Sequence, residues 1–240
     1  MDAPILQDVL KIENVHIANA SSVYAIPIAH YVFSQILRWN KRIDHHIEYQ
    51  QSKNWAPIAG DGELTNKTLV ILGYGGIGSQ VAKLGKAFGM RVTGIRRNPQ
   101  DDEYADEVLG LDRFEELLPL TDYLVLSLPD SPQTRDIINA DILEKINSSA
   151  MLINVGRGTA INEDDLTDAL NDGKIAAAAL DTTKVEPLDA NSSLWMAKNC
   201  FISAHDSAHS LLSLERAFEL FFQNIKNIKN GDQIVNLYSE

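Results

Sequence analysis

Short apolar runs and longer apolar stripes alternate along most of the chain, and that alternation predicts the fold. Leu69 to Gly73 is an apolar run of the length of a buried strand. Beyond it, Ile77, Val81, Leu84 and Phe88 fall at i, i+4, i+7 and i+11, which places one apolar stripe on a helix. Gly89 ends that helix, and Arg91 to Ile95 reads as a second strand. Upstream, a short helical pattern and a strand around Asn14 to Ile17 occupy Met1 to Ala20. Ile28, Val32, Ile36, Trp39, Ile43 and Ile47 then stripe one long helix over 22–49, opposite Arg38, Lys41, Arg42 and Asp44. Ser21 and Ser22 are its candidate caps, and Pro27 suits an early turn. A polar loop from Gln51 to Lys67 leads on to the first strand.

Downstream the alternation continues. Strands are expected at Asp106–Leu109, Tyr123–Ser127, Met151–Val155, Lys174–Leu180 and Phe201–Ala204. Helices are expected at Arg113–Leu118, Asp141–Ile146 and Asn162–Asp172, the last ended by Gly173. Leu214, Phe218, Phe221, Ile225 and Ile228 stripe a C-terminal helix ended at Gly231. Strand and helix in regular turn are the signature of a parallel sheet covered on both faces, here an α/β, Rossmann-type doubly wound sheet.

The turn after the first strand carries chemistry. Gly73, Gly75 and Gly78 form G-x-G-x-x-G between a strand and an amphipathic helix. Gly73 permits the sharp turn, Gly75 lets the backbone approach a pyrophosphate, and Gly78 lets the helix pack on the strand. The free N–H groups at the helix start face the phosphates. A carboxylate for the ribose hydroxyl of NAD is expected at the end of the second strand. Arg96 and Arg97 stand there instead, Arg96 being 18 positions after Gly78. Guanidinium groups pair with a 2′-phosphate in forked contacts, which favours NADP; the alternative is a pair of solvated strand-end arginines with NAD bound.

Composition narrows the class. At 240 residues and 45% hydrophobic content the chain can bury a sizeable core. Its formal net charge of −12, from 33 acidic and 21 basic side chains, repels nucleic acid and anionic membranes. No apolar run approaches the ~20 residues needed to span a bilayer. Cys200 is the one cysteine, so no internal disulfide forms and a cytoplasmic setting is natural.

Three polar residues stand just beyond predicted strand ends on the cofactor side: Arg157, Glu186 and His205, with spacings of 29 and 19 residues. Hydride transfer to a 2-keto acid needs a fixed cation for the carboxylate and keto oxygen, a proton donor, and an anion beside that donor. Histidine suits the donor role because it titrates near neutrality and an adjacent carboxylate favours its charged form. Taken singly, each has a structural reading: a surface ion pair, a turn residue and a satisfied strand-end histidine.

The segment LINVGRGTAINEDDLTDALNDGKIAAAALDTTKVEPL, Leu152 to Leu188, resembles the signature region of the D-isomer-specific 2-hydroxyacid dehydrogenases. LGYGGIGSQVAKLGKAFGMRV and LPDSPQTRDIINADIL before it, and SLWMAKNCFISAH and ELFFQNIKNIKNGDQIVNLY after it, extend the likeness from about Asn19 to the end. The resemblance implies Arg157 as the substrate-binding arginine, Glu186 as the partner of the histidine, and His205 as the acid. It implies further that Gly75, Gly76 and Ile77 present backbone to the pyrophosphate, that Leu128, Pro129, Val155 and Gly156 line the nucleotide pockets, and that Asp181 holds the nicotinamide carboxamide. No metal is implied. The arginines at the second strand's end fit the NADP-preferring glyoxylate and hydroxypyruvate reductases, and the crossover helix resembles the family's homodimer element.

Departures from the pattern stand beside it. Family members carry a second, substrate domain, of which this chain is expected to hold only remnants. The expected division is 1–21, a remnant; 22–208, the dinucleotide-binding domain with the crossover helix 22–49; and 209–240, a C-terminal helix left with exposed apolar area. His30 replaces the usual glutamate, Thr182, Thr183 and Lys184 replace a bulky pair, and Ala204 replaces a proline. Asp206 follows the histidine, placed either to reinforce its charge or to compete with Glu186. Two functions are therefore expected in competition: NADP-dependent reduction of a small 2-keto acid, with NAD as the other possible cofactor, and a dinucleotide-binding protein or truncated fragment without turnover.

Overall fold

A computed structural model describes residues 15–58 and 62–237, together with Val9 and Ile12. Its helices are α1 (Ser21–Asn40), α2 (Ile43–Gln51), α3 (Gly76–Ala87), α4 (Phe114–Leu117), α5 (Ala140–Lys145), α6 (Glu163–Asp172) and α7 (Ser213–Asn230). Its strands are β1 (Thr68–Leu72), β2 (Arg91–Ile95), β3 (Glu107–Leu109), β4 (Tyr123–Leu126), β5 (Met151–Asn154), β6 (Ala177–Leu180) and β7 (Cys200–Ile202). All seven pair in parallel in the order β3-β2-β1-β4-β5-β6-β7. The order reverses direction at β1 and β4, so the crevice beyond their carboxyl ends is the place where such sheets bind ligands.

The central strands are apolar throughout because both of their faces are covered. In β1, Val70 and Leu72 join one core with Leu124, Leu126, Leu143, Leu152 and Leu166. Leu69 and Ile71 point the other way, into a core with Val32, Ile36, Val81, Val125 and Ile153. Each fully buried aliphatic side chain contributes roughly 1.5–3 kcal/mol, so the two layers together fix the sheet that carries the site. At α6, Asn162 caps the first turn by accepting from the Asp165 N–H, and Gly173 closes the helix at φ 73°.

Three expectations are corrected. The stripe assigned to one helix over 22–49 is broken at Arg42, whose φ of 53° is left-handed, so α1 and α2 are separate helices. The apolar stripe holds only as far as Trp39: Ile43 and Ile47 are exposed and α2 buries no residue. The N-cap of α1 is Ala20, with no side-chain cap hydrogen bond, so neither of the expected serines is the N-cap. Val15 to Ile17 do not form a strand, although Ala18 bridges Leu237 in antiparallel fashion. Asn14 and nearly all of the expected N-terminal helical pattern lie outside the described residues.

The C-terminal stripe is real but faces outward. Leu214, Phe218, Phe221, Ile225 and Ile228 are exposed, while Asn224 and Asn227 are buried. The cause is the segment after Gly231, which turns back along the helix. Asn224 Nδ2 donates to the Val235 carbonyl at 3.0 Å and its Oδ1 accepts the Val235 N–H at 2.8 Å, while Asn227 Nδ2 donates to the Gln233 carbonyl at 2.8 Å. Polar side chains thus turn inward to satisfy a returning backbone, and the apolar ones are left outside.

Candidate active site

The loops leaving the carboxyl ends of β1, β4, β5, β6 and β7 touch one another in sequence, and glycines make the contacts possible. Gly73 sits at φ 99°, and a Cβ there would stand 2.8 Å from the Ser127 carbonyl. Ser127 Oγ donates to the Gly73 carbonyl at 2.8 Å. A Cβ on Gly156 would stand 2.7 Å from the Leu128 backbone, and one on Gly158 would collide with the Thr183 carbonyl. The row continues from β6 to β7, where the His205 N–H donates to the Asp181 carbonyl at 2.8 Å.

At the glycine turn, Gly75 precedes α3 as its N-cap and makes no side-chain cap. A Cβ on Gly75 or Gly76 would meet nothing within 4 Å, so the turn is open on its outer side, as a phosphate cradle must be. Ile77 is half-buried against the α1 side of the core. Gly78 packs on Ile71, where a Cβ would come to 3.1 Å. The residues fit a dinucleotide: open backbone amides lie at a helix start, and two cations follow the next strand. Arg96 and Arg97 come immediately after β2, and neither guanidinium has a carboxylate partner among the described residues. Leu128 is half-buried, Pro129 exposed, and Val155 5% exposed, all at the rims of β4 and β5.

Arg157, Glu186 and His205 share this edge. The parallel register aligns Asn154, Leu180 and Ile202 across β5, β6 and β7, so Arg157 and His205 each stand three residues beyond aligned strand ends. The strand ends they follow lie two strand spacings apart, about 10 Å. Arg157 is exposed, and among the described residues its guanidinium bonds only to the Gly156 carbonyl, at 2.8 Å. Glu186 is fixed at both oxygens. Oε1 accepts the Thr183 N–H at 3.1 Å, and Oε2 lies 2.8 Å from His205 Nδ1. An ionised carboxylate only accepts, so Nδ1 carries the hydrogen and Nε2 is the nitrogen left for a substrate. With side chains 46% and 40% exposed, this pair adds only about 0–1 kcal/mol to stability. Its geometry therefore matters for orientation more than for the fold. Among the described residues Asp206 makes only backbone hydrogen bonds, its N–H donating to Asp181 Oδ1 at 3.0 Å and its carbonyl accepting the His209 N–H at 2.9 Å, so it takes no bond from the His205 ring in place of Glu186.

Asp181 is 1% exposed, and Oδ1 is taken up by the chain itself: Ser203 Oγ at 2.6 Å, Asp206 N at 3.0 Å and Ser207 N at 3.2 Å. Its Oδ2 accepts one longer bond, from Ser207 N at 3.2 Å. Ser203 in turn lies 2.6 Å from the Tyr31 hydroxyl. A second network braces the glycine turn, where Tyr74 donates to Asp102 at 2.9 Å, Ser79 Oγ donates to the other oxygen at 3.2 Å, and the Tyr74 ring packs where a side chain on Gly94 would stand. Burial and the Asp102 hydrogen bond push the Tyr74 hydroxyl pKa upward, so it stays a donor. Asp130, in the loop after β4, is held below the usual carboxylate range by Arg135 and Thr159. Burial raises the Cys200 thiol to about 12, which leaves it no nucleophilic role near neutral pH.

Sequence reasoning missed Tyr31, Ser203, Gly158, Gly94 and Asp102. A glycine inside a strand signals close approach by a neighbour, and that signal was present at Gly94. Tyr31 and Ser203 are 172 positions apart, and only the folded chain brings them together.

Residues 33–207 match the family model described as D-isomer specific 2-hydroxyacid dehydrogenase, NAD binding domain. The chain is 33% identical to a glyoxylate reductase of Aeropyrum pernix over 93% of its own length and 69% of that protein. A solved D-isomer specific 2-hydroxyacid dehydrogenase family protein of Aeromonas salmonicida superposes with TM-score 0.85 at 32% identity, over 98% of this chain and 76% of that one. Another, from Xanthobacter autotrophicus Py2 in complex with NADPH and MES, gives TM-score 0.80 at 26% identity, over 99% and 98% of the two chains. Sheet order, glycine turn and matched residues agree, and the chain belongs to the D-isomer specific 2-hydroxyacid dehydrogenase family.

Proposed function

We propose that this chain reduces a small 2-keto acid of the glyoxylate or hydroxypyruvate type to its 2-hydroxy acid, with NADPH preferred over NADH. The observation that carries the reading is the His205–Glu186 contact of 2.8 Å, on the same carboxyl edge of the sheet as an open glycine turn. When bound, the cofactor supplies the hydride that reaches the carbonyl carbon. Arg157, two strands from His205, pairs with the substrate carboxylate and orients the carbonyl. His205 gives the proton on Nε2 to the carbonyl oxygen, and Glu186 holds Nδ1–H so that the ring keeps the required orientation. Gly73, Gly75, Gly76, Ile77 and Gly78 would hold the pyrophosphate, Leu128, Pro129, Val155 and Gly156 would line the nucleotide cleft, and Asp181 would hold the carboxamide. Arg96 and Arg97 are free of carboxylate partners among the described residues, which supports their pairing with a 2′-phosphate, and the NADPH bound to the Xanthobacter relative supports it further.

In this reading 22–208 carries the cofactor, 209–240 holds the C-terminal helix α7, and the protein works in the cytoplasm as a homodimer. No helix among the described residues is long and apolar enough to cross a membrane. A second reading, dinucleotide binding with little turnover, draws on the exposure of Arg157, Glu186 and His205, because efficient reduction requires water to be excluded. The experiment is cofactor choice during glyoxylate reduction. Wild type should consume NADPH faster than NADH at equal subsaturating concentration. Replacing Arg96 and Arg97 by alanine should cost about 10- to 100-fold in NADPH affinity and leave NADH nearly untouched. Equal losses for the two cofactors would defeat the 2′-phosphate assignment.

A further inference from the structure

His205 has a φ of 54°, a left-handed conformation that costs a non-glycine residue about 1–2 kcal/mol. Something must hold it there, and the residues on either side show what does. Asp181 collects four hydrogen bonds from the segment that carries the histidine. Its carbonyl accepts the His205 N–H, and its carboxylate accepts the Ser203 hydroxyl and the N–H groups of Asp206 and Ser207. The chain from 203 to 207 is thereby wrapped around one buried carboxylate, with His205 at the outer point of the wrap and its ring against Glu186.

The direction of the hydroxyl bonds follows from their chemistry. Asp181 as a carboxylate can only accept, so the single hydrogen of Ser203 goes to it, and the Ser203 oxygen accepts from Tyr31. Burial pushes the Tyr31 hydroxyl up to about 12, so it keeps its proton throughout the range in which the protein works. Tyr31 lies on α1, and Ser203 directly follows β7. The relay therefore ties the crossover helix to the loop that presents the candidate proton donor.

We propose that Tyr31 and Ser203, acting through Asp181, are positioning residues that hold His205 in register for proton transfer to the substrate. This rests on the reading of His205 as the proton donor. Neither hydroxyl touches substrate; each acts by fixing the geometry of another group, and small displacements of a catalytic group carry large kinetic costs.

The test uses the intact chain. Ser203→Ala should lower kcat for glyoxylate reduction about 10- to 100-fold while NADPH affinity and KM stay within about twofold of wild type. Ser203→Thr, which keeps the hydroxyl, should restore kcat, and Tyr31→Phe should fall in between. In a His205→Ala background, Ser203→Ala should cost nothing more; equal losses in both backgrounds would make it a fold-holding residue and overturn the proposal. A readout free of turnover is the proton NMR signal of the His205 Nδ1–H bonded to Glu186. It should broaden or vanish in Ser203→Ala and persist in Ser203→Thr, and an unchanged signal in Ser203→Ala would also overturn the proposal. Should wild type reduce no 2-keto acid, the reductase reading alone fails, and the imidazole signal still decides the positioning role. If Ser203→Ala does not fold, Tyr31→Phe is judged by the same signal.

Discussion

At the scale of single residues, the glycines separate into two kinds that the sequence alone does not distinguish. Gly75 faces open space, whereas Gly158 lies against the Thr183 backbone. Gly75→Ala should therefore leave thermal stability close to wild type and weaken NADPH binding about tenfold or more, since a methyl group would stand where the pyrophosphate must approach. Gly158→Ala should lower the melting temperature, because the loops after β5 and β6 would be forced apart at a cost of about 1–3 kcal/mol. Calorimetry and cofactor titration on both variants check the contrast, and a stability loss confined to Gly75→Ala would contradict it. Arg157, Glu186 and His205 were singled out by their place just past strand ends and given roles by the family resemblance; the fold brings Glu186 to 2.8 Å from His205 Nδ1, and the roles are proposals. Tyr31 and Ser203 were not readable, since their bond spans 172 positions and neither residue type is unusual where it stands. The three donors on Asp181 Oδ1 were equally invisible, because two of them are backbone amides.

At the scale of elements, periodicity located every strand of the sheet to within a few residues. The central strands are buried on both faces and so must be apolar throughout, which is a strong and local signal. Periodicity failed at the α1–α2 corner. A stripe continuing through Ile43 and Ile47 is indistinguishable from core until the chain turns at Arg42 and carries both side chains into the open. With no buried residue on α2, and with Ile47 and Trp55 exposed nearby, this corner is the surface through which two copies are proposed to meet. Sedimentation should show a dimer for wild type, and a monomer for a variant carrying Ile47→Glu and Trp55→Glu. A monomeric wild type would remove the dimer proposal. The C-terminal helix was expected to leave apolar area exposed, and it does, with Asn224 and Asn227 as its buried residues.

At the scale of the whole molecule, one sheet holds two separate tasks side by side. Under the proposed function, the switch point at β1 and β4 presents backbone amides and two arginines for a nucleotide, and the β5–β7 edge presents Arg157, Glu186 and His205 for an acid. The loops between them are locked by close approaches at Gly73, Gly156 and Gly158, so the spacing between the glycine turn and His205 is set by the fold. Stability comes mainly from the two cores on either side of the sheet, so the exposed His205–Glu186 pair can be altered without unfolding the chain. The decisive measurement is glyoxylate-dependent oxidation of NADPH by wild type and by His205→Ala, with NADPH affinity determined on the same preparations. The structure predicts measurable turnover in wild type, a loss of about 100-fold or more in the variant, and unchanged cofactor affinity. Turnover that survives the loss of His205 would contradict the account.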